Sequence, residues 1–245
     1  GTERYAVAIS EPDAPYDLVD ISTTASDDHR LSGRKTSVYG GNIANHILVA
    51  AKAGDRLNLY QVQATDAEII SYGLIDGGGA AEVLLDNTKA NLLIENAQPA
   101  LQDALDAGIV ALCSEAVGMM DVTYQMTIEY LRQRKQFGRP IGTFQALQHR
   151  AVDMLTEIEQ SRSITIKAAS ELGEKSASRY ASMAKNMIGR SARLVSEEAI
   201  QMHGGIAMTW EYSISHYAKR LIMLDHQLGD TDYHLNRIMA DLNET

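Results

Sequence analysis

The residues best equipped for chemistry lie in Arg132-Gln133-Arg134-Lys135-Gln136-Phe137-Gly138-Arg139-Pro140-Ile141, which runs on to Phe144-Gln145. Three arginines and a lysine crowd this stretch in a chain of net charge −10. Such a cluster suits an anion, above all a phosphate group, because the planar guanidinium offers paired donors. The same residues also fit a solvated helix end complementing its own dipole. A second stretch, Gln201-Met202-His203-Gly204-Gly205, joins an amide and an imidazole to two glycines, where backbone amides can approach a ligand closely. An ordinary helix C-cap is the alternative. Among acids, Glu115 is flanked by Cys113, Ala116, Val117 and Met119, surroundings that can raise a carboxyl pKa and make it a base. Pairing with an arginine of a neighbouring helix is the other reading. Asp230 is a second candidate with a shorter reach. His226, Asp230 and His234 would share a face, as zinc ligands must, only on one unbroken helix; Gly229 argues against that, and no metal is assigned.

The elements that must position these residues fall into two regimes. Up to about Leu93 the pattern is short and strand-like: Tyr5 to Ile9, Asp17 to Ile21, Ile47 to Ala51, Leu57 to Val62 and Glu82 to Leu85, with turn signals between. Gly77-Gly78-Gly79 lacks the following Lys-Ser/Thr of a phosphate loop and reads as a hairpin or bulge. From about Ala97 the period becomes helical. Ile109, Leu112, Ala116, Met119, Thr123, Met126 and Tyr130 step along one face, and Phe144 to Leu172 repeats the pattern, closed by Gly173. Ser176 to Met202, Tyr212 to Gln227 and Tyr233 to Leu242 complete the helices. The expected fold is α+β: a small antiparallel β-domain over 1–95 and a C-terminal four-helix bundle over 96–245.

Composition narrows the function. With 45% hydrophobic and 22% charged residues the chain is an ordinary globular protein, and its acidity argues against nucleic acid. A single cysteine fits a reducing compartment, no apolar run reaches membrane-spanning length, and no secretory leader is recognised. A cytoplasmic location without membrane insertion is expected.

Arg134-Lys135-Gln136-Phe137-Gly138-Arg139-Pro140-Ile141 with Phe144-Gln145, and Glu198 to Gly205 followed by Thr209-Trp210-Glu211, resemble the acyl-CoA dehydrogenase family. Ala8-Ile9-Ser10-Glu11-Pro12 looks like that family's segment beside the flavin ring, and Gly33-Arg34-Lys35 like the start of its next strand. The resemblance covers nearly the whole chain. It implies an N-terminal helical domain, not recognised in this sequence, then the β-domain and the helical bundle. It implies FAD bound across a subunit boundary. Arg134, Gln136, Phe137, Phe144 and Gln145 would lie at the pyrophosphate and adenosine end, with Gln201, His203, Gly204 and Gly205 lining the same part, and Ser10 near the ring. It further implies α,β-dehydrogenation of an acyl-CoA, with proton to a base, hydride to the flavin, and electron-transferring flavoprotein as acceptor. A homo- or hetero-tetramer, a dimer of dimers, in fatty-acid or steroid degradation completes the picture.

The departures concern the reacting end. The family's usual glutamate, in a Glu-Gly-Thr turn, is Leu228 here, and its alternative position on the long helix corresponds to Gly108 or Ile109. The tryptophan expected after Lys35 is Thr36, and the Gly-Ser-Asp after Glu-Pro has become Pro15-Tyr16-Asp17. Two readings follow. In one the chain is a competent dehydrogenase with Glu115 or Asp230 as base. In the favoured one it is an accessory subunit that completes a neighbour's FAD site.

Overall fold

The computed structural model describes residues 1–243, and the chain divides into two compact units, Gly1–Gln102 and Asp103–Thr245. In the first unit, strands β1 (Tyr5–Ala8), β2 (Thr24–Ala25), β3 (Arg30–Tyr39), β4 (His46–Ala53), β5 (Arg56–Gln63), β6 (Glu68–Gly73), β7 (Gly79–Lys89) and β8 (Asn91–Ile94) form one sheet. Its order is β6-β7-β3-β2-β4-β5-β8, with β1 paired to β4. The long pairings are antiparallel, while β1 and β2 each run parallel to β4. The strand period is two, so alternate side chains turn inward. Ile47, Val49 and Ala51 of β4 thus meet Tyr60 and Val62 of β5, Leu31 and Val38 of β3, and Val83 and Leu85 of β7. Gly77, at φ 88°, lies in the hairpin that joins β6 to β7.

Asp17–Ile21 corrects the sequence expectation. It forms no strand, because Leu18 and Ile21 are the buried pair while Val19 is exposed, a spacing of three rather than two. Its neighbourhood is organised instead by a buried acid. Glu11 accepts hydrogen bonds from Ser22 N (2.7 Å), Ser22 Oγ (2.6 Å), Thr23 N (3.0 Å), Thr23 Oγ1 (2.5 Å) and Lys35 Nζ (2.7 Å). Burial pushes its carboxyl up, but these donors together outweigh it and bring the pKa to about 2. Lys35 is fully buried, and burial draws its ammonium down to about 8 against the pull of Glu11.

Beside this pair, Gly33 has φ 152°, and a Cβ there would lie 2.5 Å from Thr23 Oγ1 and 2.8 Å from Thr23 Cα. Gly33→Ala is expected to cost about 1–3 kcal/mol, read as a lower denaturant midpoint by far-UV circular dichroism. An unchanged midpoint would show that β3 can move off Thr23.

The second unit is helical: α1 (Gln98–Gln133), α2 (Gln145–Ser170), α3 (Ala177–His203), α4 (Ile214–Asp225) and α5 (Thr231–Asn243). A two-stranded hairpin, β9 (Lys135–Gln136) and β10 (Arg139–Pro140), joins α1 to α2. The buried stripe of α1 runs through Ile109, Cys113, Ala116, Met120, Thr123 and Thr127, one residue round from the face the periodicity favours. Met154 and Ile158 of α2, Ile188 and Val195 of α3, and Leu221 and Leu224 of α4 fill the same core. The short α5 makes this four-helix arrangement a bundle with a fifth, peripheral helix.

Candidate functional site

The basic stretch is a built turn. Arg134 N donates to Tyr130 O (2.8 Å) as α1 ends, and Ile141 N donates to Arg134 O (2.8 Å), closing the hairpin. Phe137 and Gly138 are its two loop residues, at φ 52° and 77°, the left-handed pair that a two-residue hairpin requires. A phenylalanine in that conformation is strained, and it is 90% exposed. Phe144 braces it edge-on at 6.3 Å, and Arg139 lies over the Phe144 ring at 4.1 Å. Gln136 and Gln145 are exposed beside it. Among the described residues no carboxylate pairs with Arg132, Arg134 or Lys135, so these cations face outward on an acidic chain.

The glycine motif lies at the same end of the unit. Gly204 caps α3 at φ 68°, ψ −148°, and Gln201, Gly204 and Gly205 are exposed. Among the described residues, a Cβ on either glycine would meet no atom within 4 Å, so the space directly beside each is open. The two stretches meet through His203, whose ring stacks on Tyr130 of α1 at 4.5 Å and tilts against Tyr212 at 5.4 Å. His203 differs from the rest of the expected set: it is buried, with Nδ1 2.8 Å from Ala199 O, and presents nothing to a ligand. Tyr130 and Tyr212 were missed as members of this site, although Tyr130 falls on the expected apolar face of α1.

The acid candidates are engaged. Glu115 takes the paired of its two readings: its side chain is 40% exposed and grips Arg220 of α4 with both oxygens, at 2.7 and 2.9 Å. The apolar neighbours in sequence face other sides of α1. Asp230 is the N-cap of α5, accepting from Tyr233 N at 2.8 Å. Cys113 is buried and its thiol pushed up to about 12, which leaves it inert.

Between α4 and α5, Leu228 and Gly229 are both left-handed, at φ 56° and 100°. A Cβ on Gly108 would lie 3.0 Å from Leu228 Cδ1, so the two positions where the resemblance looks for a base adjoin each other and hold only apolar groups. The turn is fixed from beneath. Fully buried Lys185 donates to Asp225 O (2.8 Å) and Gly229 O (2.6 Å), and His234 Nε2 donates to Leu228 O (3.0 Å). Burial lowers the pKa of both, that of His234 to about 4. Sequence reasoning missed this clamp. Its signal was a lysine on the apolar face of α3, between Ala181 and Ile188.

Ser10 belongs to the first unit, where Ser10 O accepts from Thr36 N at 2.9 Å. Thr36 Oγ1 in turn donates to Glu82 (2.6 Å), which also holds Arg34 Nε (3.0 Å).

Comparison with known proteins places this geometry. A profile described as acyl-CoA dehydrogenase, C-terminal domain, matches residues 99–242. The chain belongs to the acyl-CoA dehydrogenase family. It is 30% identical over 234 residues to a 3-(aryl)acrylate reductase of Clostridium sporogenes, covering 87% of this chain and 62% of that one. It is 27% identical to subunit CarC of the caffeyl-CoA reductase-Etf complex of Acetobacterium woodii, with the same coverage of each. A solved steroid acyl-CoA dehydrogenase, Tcur3481-Tcur3483, superposes with a TM-score of 0.90 at 30% identity, covering all of this chain and 68% of that one. The chain thus spans about three fifths of the length of these two curated relatives. Acyl-CoA dehydrogenases are FAD flavoproteins, and the α+β fold agrees with their middle and C-terminal domains.

The residues fit that cofactor unevenly. Unpaired cations, an exposed aromatic face and open glycines suit a dinucleotide's pyrophosphate and adenosine. On the first unit, the Thr36 position carries a hydroxyl tied to the Glu82 carboxylate, where a flavin ring would want an apolar or aromatic wall. Among the described residues no helix is long and apolar enough to cross a membrane.

Proposed function

We propose that this chain is a subunit of an acyl-CoA dehydrogenase complex that completes the FAD site of a neighbouring subunit and does not run a full site of its own. The observation that carries this reading is an asymmetry. The hairpin and glycine turn are held together with free cations, while Leu228 and Gly108 fill the positions where a proton acceptor would stand. FAD, when bound, supplies the hydride acceptor for α,β-dehydrogenation of an acyl-CoA. Arg134, Gln136 and Phe137, with Gln201, Gly204 and Gly205, would hold its pyrophosphate and adenosine end; Phe144 and Gln145 would support the hairpin. The similarity to a steroid acyl-CoA dehydrogenase and to a subunit of an Etf complex supports a bulky acyl-CoA, a mixed tetramer and electron-transferring flavoprotein as acceptor.

The test is purification of the full chain alone and with the product of its neighbouring gene. The complex should hold FAD, and the lone chain should not be bleached by acyl-CoA. Full FAD occupancy with substrate bleaching in the lone chain would sink the accessory reading. In the complex, Arg134→Ala should weaken FAD binding about tenfold to a hundredfold, the loss of one charge-assisted contact of about 1.5–3 kcal/mol. If bleaching in the complex disappears on Glu115→Gln, then Glu115 is a base and the chain has chemistry of its own.

A further inference from the structure

We propose that neutral His203 is the positioning residue that joins the 135–140 hairpin and the 204–210 turn into one binding site, and that its protonation loosens them. The ligand's identity rests on the FAD reading above; the joining does not.

Three contacts carry the inference. His203 is the last residue of α3, directly before Gly204. Its ring stacks on Tyr130 at 4.5 Å and 27°, and the Tyr130 carbonyl accepts the Arg134 amide that starts the hairpin. On its other side lies Tyr212, at the end of the glycine turn, 5.4 Å away. One imidazole therefore packs against the residue whose carbonyl starts the hairpin and against the residue that follows the glycine turn, and the ring itself is enclosed.

The protonation state follows from the hydrogen bonds. Nδ1 faces Ala199 O at 2.8 Å, so Nδ1 carries the proton and donates. Nε2 is then unprotonated and buried, and while neutral it cannot donate to the Met126 carbonyl beside the ring. Burial lowers the pKa, and the Ala199 and Met126 carbonyls, which favour the cation, do not offset it. The titratable groups facing the ring are the Tyr130 and Tyr212 hydroxyls, both from other elements. Charging the ring places a cation in this enclosed stack, and the cost falls on the contacts that close it.

The chain's single tryptophan, Trp210, sits on the glycine turn and is 69% exposed, so it reports the order of that segment. Its neighbours also titrate or carry charge: His216 lies edge-on at 4.9 Å with Nε2 2.8 Å from Trp210 O, and Lys219 lies over the indole at 4.3 Å. The experiment therefore uses the full chain with its partner in a His216→Gln background. Trp210 anisotropy and FAD affinity are followed from roughly pH 8 to pH 5, with far-UV circular dichroism as the control for helix content.

The expected result is a fall in Trp210 anisotropy with a midpoint below 6.5, and a loss of FAD affinity of roughly tenfold in step with it. His203→Phe, which keeps a stacked ring and removes the proton, should make both readings flat over this range. His203→Ala should give low anisotropy and weak FAD binding at every pH while helix content persists. The same midpoint in His203→Phe, or parental anisotropy in His203→Ala, overturns the proposal. If anisotropy follows His203 while FAD binds in no variant at any pH, the joining role stands and the FAD reading falls.

Discussion

Lys35→Met is expected to destabilise the first unit by about 3–5 kcal/mol at neutral pH, the cost of stranding a buried carboxylate without its partner. Lys35 Nζ is the only cation within reach of Glu11 among its hydrogen-bond partners, and both side chains are almost wholly excluded from water. The loss should appear as a lower urea midpoint in the first of two unfolding steps, since the chain has two compact units. Glu11→Leu combined with Lys35→Met should recover part of it, because removing both charges removes the desolvation cost as well. The pair also sets an acid limit. The Glu11 pKa lies at about 2 instead of 4.5, so its contribution is complete above pH 4.5 and disappears as the pH falls through 2. A midpoint unmoved by Lys35→Met would mean that the Ser22 and Thr23 donors alone hold the acid.

The second unit should weaken at much milder acidity. His234 is fully buried with its pKa drawn from 6.5 down to about 4, so the unfolded chain binds a proton between those values and the folded chain does not. Stability therefore falls as the pH drops from 6.5 to 4. The gap of about 2.5 pH units, at about 1.4 kcal/mol each, gives a loss of about 3.5 kcal/mol. His203 acts in the same direction. Urea titrations followed by Trp210 fluorescence at several pH values would measure it. His234→Gln keeps a donor for Leu228 O and should flatten most of the slope. An equal slope in that variant would assign the acid sensitivity elsewhere.

Helix existence was readable because apolar residues recur at three and four over long stretches, and Gly173, Gly204 and Gly229 mark real breaks. β4 and β5 were readable for a related reason: Ile47 to Ala51 and Leu57 to Val62 are dense in apolar residues. β3 and β6 were not. β3 is polar, with a glycine at a kink and an ammonium pointing inward, and β6 is exposed along most of its length. Neither displays alternation, because tertiary pairing rather than burial defines them. At the site, the arginine cluster and the glycines were legible as residue types. The enclosure of His203 and the exposure of Glu115 were not, since both depend on which helix lies opposite. No local pattern tells a buried histidine joining two segments from one that meets a ligand.

The turn after α4 has a consequence for how this chain can change. Lys185 and His234 hold the carbonyls of Asp225, Leu228 and Gly229, and neither touches a side-chain polar atom at position 228. The backbone there is held by groups other than the side chain it presents, while Leu228 itself packs against the helical core and beside Gly108. Exchange between leucine and a reactive side chain would leave the carbonyl clamp in place and change only the packing that Leu228 makes. The clamp and the chemistry are thus separable at this position, and a lineage could shed the second while keeping the first.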